Sequence, residues 1–184
     1  MAETETAEQA KPRTRRPPKR KRNEELVRRY FDAVARRDAD GMGECCTDEV
    51  VEEQVPLRIL RGKEELVAGF RELFAAVPDL ETTVSRVVAD DRHAVVEWRM
   101  TGTFSGGPYE GLEPTGRRIE LRGLDLFEIE DELIKANTAY FDGMAFARGA
   151  GLLPAQDSGA ERAMKGALNT VTKLRRAVNE RMGS

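Results

Sequence analysis

Residues 111–130 read GLEPTGRRIELRGLDLFEIE, a Gly/Pro-rich turn followed by a segment in which apolar and polar residues alternate. The alternation over 118–130 predicts a strand with one buried face. That face carries Asp125 and four neighbours: Leu121, Gly123, Phe127 and Ile129. A carboxyl group among such neighbours should have a raised pKa, because burial disfavours its charged form. Asp125 is therefore the strongest functional candidate in the chain.

Strand patterns continue on both sides of this segment. The predicted strands cover 50–55, 80–89, 94–104, 118–130 and 133–142. Acidic turns at Asp90-Asp91 and Asp131-Glu132 join the last four strands into two long hairpins, and Pro56 ends the first strand. The sheet should therefore be mostly antiparallel.

Apolar residues at helical spacing predict the helices. The first long helix covers 24–37 and begins at Asn23, a good N-cap residue, and the second covers 63–77 and is ended by Pro78. Short helices are predicted over 41–47 and 143–150. These elements together predict an α+β fold in which a curved sheet wraps around helices.

The two ends of the chain are basic. Residues 1–22 contain no Leu, Ile, Val, Phe, Trp or Tyr, which predicts a disordered tail, and residues 11–22 could contact nucleic acid or an acidic partner. Residues 155–184 contain one predicted helix, over 158–182, with apolar residues along one side. That helix could pack on its own domain or a twin subunit, bind another partner, or lie on an anionic membrane.

Charge and composition limit the functional classes. Eight Lys/Arg and three Glu give residues 1–22 a charge of +5, and residues 155–184 carry +3, which leaves −11 for the middle of a chain with net charge −3. Such an acidic globule would repel nucleic acid. The adjacent Cys45 and Cys46 favour a reducing compartment, and without an apolar run of transmembrane length we expect a cytoplasmic protein. The single histidine, His93, predicts no metal site, and no cofactor is expected.

Four motifs follow each other along the chain: YFDAV at 30–34 followed by DADG at 38–41, GLEPTGRR at 111–118, DLFEI at 125–129, and YFD at 140–142. In this order they are similar to the motifs of SnoaL-like proteins in the nuclear-transport-factor-2-like superfamily. The resemblance covers about 23–154 and neither end. It implies a cone-shaped domain whose open end takes a small, mostly apolar ligand, and a homodimer. Members include isomerases, polyketide cyclases and epoxide hydrolases, so the resemblance implies a pocket rather than a reaction.

The resemblance also implies roles for individual residues. Tyr30 and Asp125 occupy the positions with which ketosteroid isomerases hold a developing enolate, where an apolar site keeps the acid protonated. Gln54 stands at the general-base position and cannot accept a proton. Glu52, two residues earlier on the same strand face, could substitute.

Two other family chemistries match less well. The His and Asp positions of the polyketide cyclases fall on Asp125 and Ala139. Arg99 matches the arginine of limonene epoxide hydrolases, but Thr101 and Ala139 replace their two Asp residues. A rearranged hydrolase set would use Glu52 to activate water and protonated Asp125 as the acid.

The candidate site therefore has a catalytic and a ligand-binding part. The catalytic candidates are Asp125, Tyr30, Arg99 and Glu52. The ligand-binding candidates are Gln54, Trp98, Thr101, Asn137, Phe127 and Phe141. Alternatively, Asp125 and Arg99 form a structural ion pair, or Arg99 lies on the outer face of the sheet. Two functions follow: a cofactor-independent isomerase, cyclase or hydrolase, or a non-catalytic ligand-binding or dimerisation module whose basic tails bind a partner.

Overall fold

The computed structural model describes residues 17–182, and it confirms the predicted α+β fold. Its elements in chain order are α1 (Lys19–Ala35), α2 (Ala39–Gly43), β1 (Cys46–Val55), β2 (Arg58–Arg61), α3 (Lys63–Ala76), β3 (Glu81–Ala89), β4 (His93–Phe104), β5 (Arg117–Glu130), β6 (Leu133–Phe141), α4 (Gly143–Gly149) and α5 (Gly159–Met182). None of the helices within residues 17–182 combines the length and the apolar character that crossing a bilayer would require.

The six strands form one curved, open sheet in the order β2-β1-β6-β5-β4-β3. Strand β1 runs parallel to β6, and the other neighbouring pairs are antiparallel. The parallel pairing sets Glu52 opposite Asn137, and the β5–β6 pairing sets Asp125 opposite Ala139. Paired residues on neighbouring strands share a face, as do Asn137 and Ala139, which are two apart on β6, so this register brings polar side chains from three strands together.

The core lies between the concave face of the sheet and the helices α1 and α3. The first helix buries Leu26, Val27, Phe31 and the ring of Tyr30. Phe127 on β5 packs edge-on against Tyr30 and Phe31, with ring centroids 5.5 and 6.2 Å apart. Aromatic pairs of this kind add stability beyond the area that they bury. The face of β5 on which the sequence placed Asp125 is thus the inner face.

Helix α1 begins earlier than predicted. It starts at Lys19, after Pro18, so residues 19–22 are helical and the predicted start at Asn23 is wrong. Asn23 is buried instead, and its Nδ2 donates a hydrogen bond of 2.9 Å to the Asp90 carbonyl in the β3–β4 turn. Arg22 pairs with Glu132 at 3.0 Å in the β5–β6 turn. The remainder of the predicted disordered tail, residues 1–16, lies outside the described residues.

Strand β2 was not predicted. Only two residues separate it from β1, and it pairs with β1 in antiparallel register from Val51–Arg61 to Gln54–Arg58. The predicted short helix over 41–47 is wrong at its end, since α2 stops at Gly43 and β1 already begins at Cys46, four residues before the predicted start of that strand. The other predicted ends agree with the structure within two residues.

Candidate functional site

A cavity of about 90 Å³ lies between the concave face of the sheet and helices α1 and α3. Most of its wall is apolar, and the apolar residues come from both the helices and the sheet. They include Val34, Phe70, Leu73, Met100, Leu121 and Phe146. Polar side chains interrupt this wall, among them Tyr30, Glu52, Gln54 and Asp125. Small-molecule sites typically combine an apolar wall with a few convergent polar groups.

An amide connects the two carboxyl groups of the cavity. Nδ2 of Asn137 donates to both Glu52 oxygens, at 3.2 and 3.0 Å, and to Oδ2 of Asp125 at 3.0 Å. All three side chains are buried, with at most 5% exposed. The amide group therefore holds the two carboxyls close together in a site largely shielded from water.

Trp98 completes the set of donors around Asp125. Its indole Nε1 donates a hydrogen bond of 2.6 Å to Oδ1 of Asp125. The indole lies over Gly123, where an added Cβ would come within 2.3 Å of the ring. Glycine is thus required at position 123 for the indole to reach the carboxyl group. Each Asp125 oxygen receives one N–H bond, and such bonds favour the ionised form.

Burial raises the pKa of both carboxyl groups. For Asp125, burial raises the pKa to about 6, against the opposing effect of the Trp98 and Asn137 hydrogen bonds. For Glu52, burial and then the charge of Asp125 raise the pKa to about 8. Two carboxyls that share a dry site do not both ionise readily. Near neutral pH the pair therefore shares one proton, and the lower pKa of Asp125 favours Glu52 as the protonated member.

Tyr30 presents a second hydrogen-bond donor to the cavity. Its side chain is 1% exposed, and within residues 17–182 its hydroxyl makes no hydrogen bond of standard geometry, although it lies near enough to Glu52 to lower the pKa of that carboxyl. Burial, followed by the charge of Glu52, raises the Tyr30 pKa well above its ordinary value, so the hydroxyl stays protonated. A buried hydroxyl without such a bond is costly and is available to an oxygen atom of a bound molecule.

Arg58 on β2 holds the edge of the cavity. It donates to Oε1 of Gln54 at 3.2 Å and pairs with Glu72 at 3.0 Å and Glu110 at 2.8 Å. Its guanidinium also lies 5.2 Å from the ring centroid of Tyr109, a cavity-lining residue in the Gly/Pro loop, residues 105–116 between β4 and β5. Arg58 thus ties the loop to β1 and α3. Sequence analysis missed this residue because it did not predict β2.

The structure brings most of the predicted site residues together. Tyr30, Glu52, Gln54, Trp98, Thr101, Asp125 and Phe141 line the cavity. Asn137 bridges the two carboxyl groups. Among residues 17–182, no group of three His, Cys, Asp or Glu side chains could hold a metal ion.

Two of the predictions require correction. Arg99 lies on the outer face of β4, where it pairs with Glu120 at 2.6 Å, so it neither lines the cavity nor pairs with Asp125. The strand alternation explains this, because the apolar set that includes Trp98 and Met100 faces inward. Phe127 faces inward as well but packs in the core beneath Tyr30 rather than on the cavity wall.

Known proteins resemble this chain in sequence and in fold. The SnoaL-like domain family matches residues 27–137. No curated protein matches the chain in sequence. Among solved structures, a candidate SnoaL-like polyketide cyclase from Jannaschia sp. CCS1 is 26% identical, with a TM-score of 0.68 over 77% of this chain and 99% of that chain. TsrD from Streptomyces laurentii is also 26% identical, with a TM-score of 0.64 over 73% and 98%.

A more distant structure shares the fold alone. An LEH-like epoxide hydrolase from M. tuberculosis is 20% identical, with a TM-score of 0.59 over 72% of this chain and 92% of that chain. Similar folds therefore occur in proteins described by different chemistries, and the side chains of the cavity must decide among them.

Proposed function

The chain belongs to the SnoaL-like domain family, and on that premise we propose that it is an enzyme that moves a proton on a small, mostly apolar substrate bearing an oxygen atom. The observation that carries this proposal is the pair of buried carboxyl groups, Glu52 and Asp125, held by Asn137 at the wall of an apolar cavity. A general acid and a general base work best when their pKa values lie near the working pH. Burial raises the pKa values of both carboxyl groups toward that range.

The roles of the two carboxyls are the reverse of those in the rearranged hydrolase set. Asp125 accepts two N–H bonds and is the ionised member, so it acts as the general base. Glu52 retains the proton and acts, with the Tyr30 hydroxyl, as a hydrogen-bond donor to the substrate oxygen. Pairs of carboxyls whose environments separate their pKa values are assigned acid and base roles in this way.

Isomerisation of an unsaturated ketone illustrates the reaction class. Asp125 takes a proton from the carbon next to the carbonyl, so the C–H bond breaks and its electron pair moves into an enolate. Tyr30 and Glu52 donate hydrogen bonds to the enolate oxygen, which stabilises the negative charge that develops there. Asp125 then returns the proton to the far end of the conjugated system, and the carboxylate is regenerated.

The size of the cavity limits the substrate. An engineered protein cavity of ~150 Å³ admits benzene. The cavity here has about 90 Å³. The reacting part of the substrate should therefore be no larger than one six-membered ring, with any further groups directed toward the Gly/Pro loop.

A single-ring ketone gives a direct test. Conversion of 3-cyclohexen-1-one to its conjugated isomer would be followed by ultraviolet absorbance. Because positioned acid–base groups contribute roughly 10²–10⁴-fold, Asp125→Asn should lower kcat/KM by at least about 100-fold. Arg99→Gln is the matched control, because Arg99 lies on the outer face and should not affect the rate.

The pH profile provides a second readout. The rate should rise as Asp125 ionises and fall as Glu52 loses its proton, giving a bell-shaped profile. In Glu52→Gln the alkaline fall should disappear, since glutamine does not titrate. A wild-type protein without turnover above the uncatalysed rate, or an Asp125→Asn variant as fast as wild type, would overturn the proposal.

Ligand binding without catalysis is the second candidate function. The observation in its favour is that both Asp125 oxygens already accept hydrogen bonds from within the protein. In that case 2-cyclohexen-1-one would bind, as measured by calorimetry, and binding would weaken in Tyr30→Phe. Its isomer 3-cyclohexen-1-one would then bind without being converted.

A further inference from the structure

Arg58 on β2 has every nitrogen of its guanidinium group engaged by the protein. Nε donates to Oε1 of Gln54 at 3.2 Å, and Nη2 donates to the Gly69 carbonyl at 3.1 Å. Nη1 pairs with Glu72 on α3 and with Glu110 in the Gly/Pro loop. A ligand would bind this guanidinium only by displacing one of these groups, so the role of Arg58 lies in what it holds in place.

The contact with Gln54 fixes the direction of the Gln54 amide. The register of the β1–β2 hairpin pairs Gln54 directly with Arg58, so the two side chains share a face. Guanidinium N–H groups only donate, so the Gln54 atom that meets Nε is the carbonyl oxygen Oε1. The amide is planar, and its NH2 end therefore points away from Arg58.

The NH2 end of Gln54 is turned toward Glu52, which lies two residues earlier on the same face of β1. Burial raises the pKa of Glu52, and a hydrogen bond with Gln54 is among the contacts that oppose this rise. A hydrogen bond lowers the pKa of a carboxyl group when the partner donates to it. A half turn of the amide would instead place its oxygen against the carboxyl oxygens, where neither atom has a proton to offer once Glu52 is ionised.

We propose that Arg58 is a positioning residue that keeps the Gln54 amide in one orientation, with its N–H groups toward Glu52 and the cavity. Gln54 lines the cavity, and its amide nitrogen carries two hydrogens, so one serves Glu52 and the other is left for an oxygen atom of a bound molecule. Because Arg58 also contacts Glu110 and the Tyr109 hydroxyl, this orientation is linked to the Gly/Pro loop. Only its consequence for turnover rests on the proposed function.

Arg58→Lys tests the proposal because it keeps the charge and removes one donor. Lysine has a methylene group where arginine has Nε, so the bond to Gln54 is lost while an ammonium group remains near Glu72 and Glu110. Glu52 then loses a fixed donor. The upper titration step of the carboxyl pair, followed by ¹³C NMR of the carboxyl carbons, should move to higher pH by roughly 1 pH unit, the size expected for one hydrogen bond to a charged group.

The other titratable groups around Glu52 do not obscure this step. Asp125 faces Glu52 from β5, Tyr30 from α1, and Cys46 lies on β1 itself. Burial raises the pKa of the Tyr30 hydroxyl and of the Cys46 thiol, so both stay protonated throughout the titration. Asp125 has a pKa of about 6, raised by burial, and it titrates in the lower step of the pair.

A double-mutant cycle separates positioning from every other effect of Arg58. Gln54→Leu removes the amide itself and should raise the upper step by a similar amount. Arg58→Lys added to Gln54→Leu should then cause no further change, because the group through which Arg58 acts is absent. Arg99→Lys is the matched control, since the same exchange in an exposed ion pair on the outer face should leave the step where it is.

The wild-type protein gives a reading that does not depend on the folding of a variant. The ¹⁵N resonance of the Gln54 side chain should follow the upper step, because its N–H donates to the group that titrates. The proposal fails if that resonance ignores the titration, if Arg58→Lys titrates as wild type does, or if Arg58→Lys has the same effect with and without Gln54→Leu.

Turnover provides a separate readout. In an active enzyme, the alkaline fall of the rate in Arg58→Lys should move to higher pH by the same amount as the NMR step. A wild-type protein without turnover would remove the proposed function, whereas the NMR titrations would still decide the role of Arg58.

Discussion

At the scale of single residues, the site depends on two carboxyl groups that compete for one proton. Asn137 binds both of them, while Trp98 binds only Asp125. Glu52 is also stabilised by hydrogen bonds, with Asn137, Gln54 and Tyr30, but its burial and the charge of Asp125 outweigh them and raise its pKa further than that of Asp125. By binding both carboxyl groups, the Asn137 amide sets the distance between Glu52 and Asp125 and so the strength of their electrostatic interaction.

The shared proton should make stability fall as the pH rises. A buried acid with a raised pKa keeps its proton in the folded state after the unfolded chain has lost it, so ΔG of unfolding decreases between the two pKa values. For Glu52 this window runs from the ordinary pKa of 4.5 to about 8. Between pH 5 and pH 8.5 we expect wild type to lose on the order of a few kcal/mol.

Glu52→Gln should reduce that loss by half or more, because glutamine carries no titrating proton. The measurement is urea unfolding at pH 5 and at pH 8.5, with Glu120→Gln on the outer face as a control that should keep the wild-type loss. Acids with lowered pKa values, which titrate below this window, do not interfere: Asp48, Asp79, Asp90, Glu130 and Glu161. Equal losses in Glu52→Gln and wild type would mean that Glu52 does not hold the proton.

Gly123 gives a second prediction at this scale. Gly123→Ala would place a Cβ 2.3 Å from the Trp98 ring and 2.7 Å from the Tyr140 carbonyl oxygen, so the indole must move and its bond to Asp125 breaks. We expect a loss of about 1–3 kcal/mol, the usual cost of overpacking. Trp98 is the sole tryptophan, so its fluorescence spectrum reports the displacement.

Gly107→Ala is the control for that substitution, because no atom lies within 4 Å of the added Cβ. It should leave both the fluorescence spectrum and the melting temperature unchanged. A Gly123→Ala variant with the wild-type spectrum and stability would show that the indole does not need the glycine.

Sequence analysis identified the residues of the site more reliably than their roles. Alternation along β5 correctly placed Asp125 on an inner face, since the strand period is fixed by backbone geometry. For β4 the same alternation did not show whether the set with Arg99 or the set with Trp98 and Met100 faces the core. In the structure Trp98 and Met100 line the cavity, which places Arg99 on the outer face. The bridge through Asn137 depends on the parallel pairing of β1 with β6, which joins residues 85 positions apart and leaves no local pattern.

At the scale of elements, composition misled where tertiary contacts supply the stability. The basic residues 19–22 have no apolar side chain, so they were assigned to a disordered tail. They are helical because they form the first turn of α1, and the next turn of this helix is held in place by the buried side chains of Asn23 and Leu26. Strand β2 was missed for a related reason, since four residues beside a proline give too short a pattern and its pairing with β1 supplies the order.

Asn23 should therefore matter more than a residue near a helix start usually does. Its Nδ2 bond to the Asp90 carbonyl joins α1 to the β3–β4 turn, and the side chain is fully buried. Asn23→Ala leaves that carbonyl without this donor, which costs about 1–3 kcal/mol for a buried group. Thermal unfolding measures the loss, with the exposed Glu25→Ala on the same helix as the control. A change no larger than that of the control would contradict this role.

At the scale of the whole molecule, the chain separates into an acidic cone and a basic arm joined at one point. The cone contains the cavity and the core, whereas α5 buries only Glu161 among its described side chains. Because burial of apolar surface provides most of the folding free energy, the arm should add little to the stability of the cone. Its exposed side carries the apolar residues Met164, Leu168, Val171, Leu174 and Val178.

Two truncations separate these contributions. A chain that ends at Lys165 keeps Glu161 with its partners Arg148 and Lys165, so the cone should melt within about 2 °C of wild type when both are monomeric. A chain that ends at Pro154 removes Glu161 and leaves the half-buried Arg148 without its carboxylate. Loss of that pair should lower the melting temperature by several degrees, about 4–8 °C for each kcal/mol in a small domain.

Calorimetry at low protein concentration distinguishes the two truncated chains, because dilution removes any contribution from association. If the chain that ends at Lys165 had the same melting temperature as the chain that ends at Pro154, the outer part of α5 would pack on its own cone. The exposed apolar residues of α5 would then be covered by the same chain.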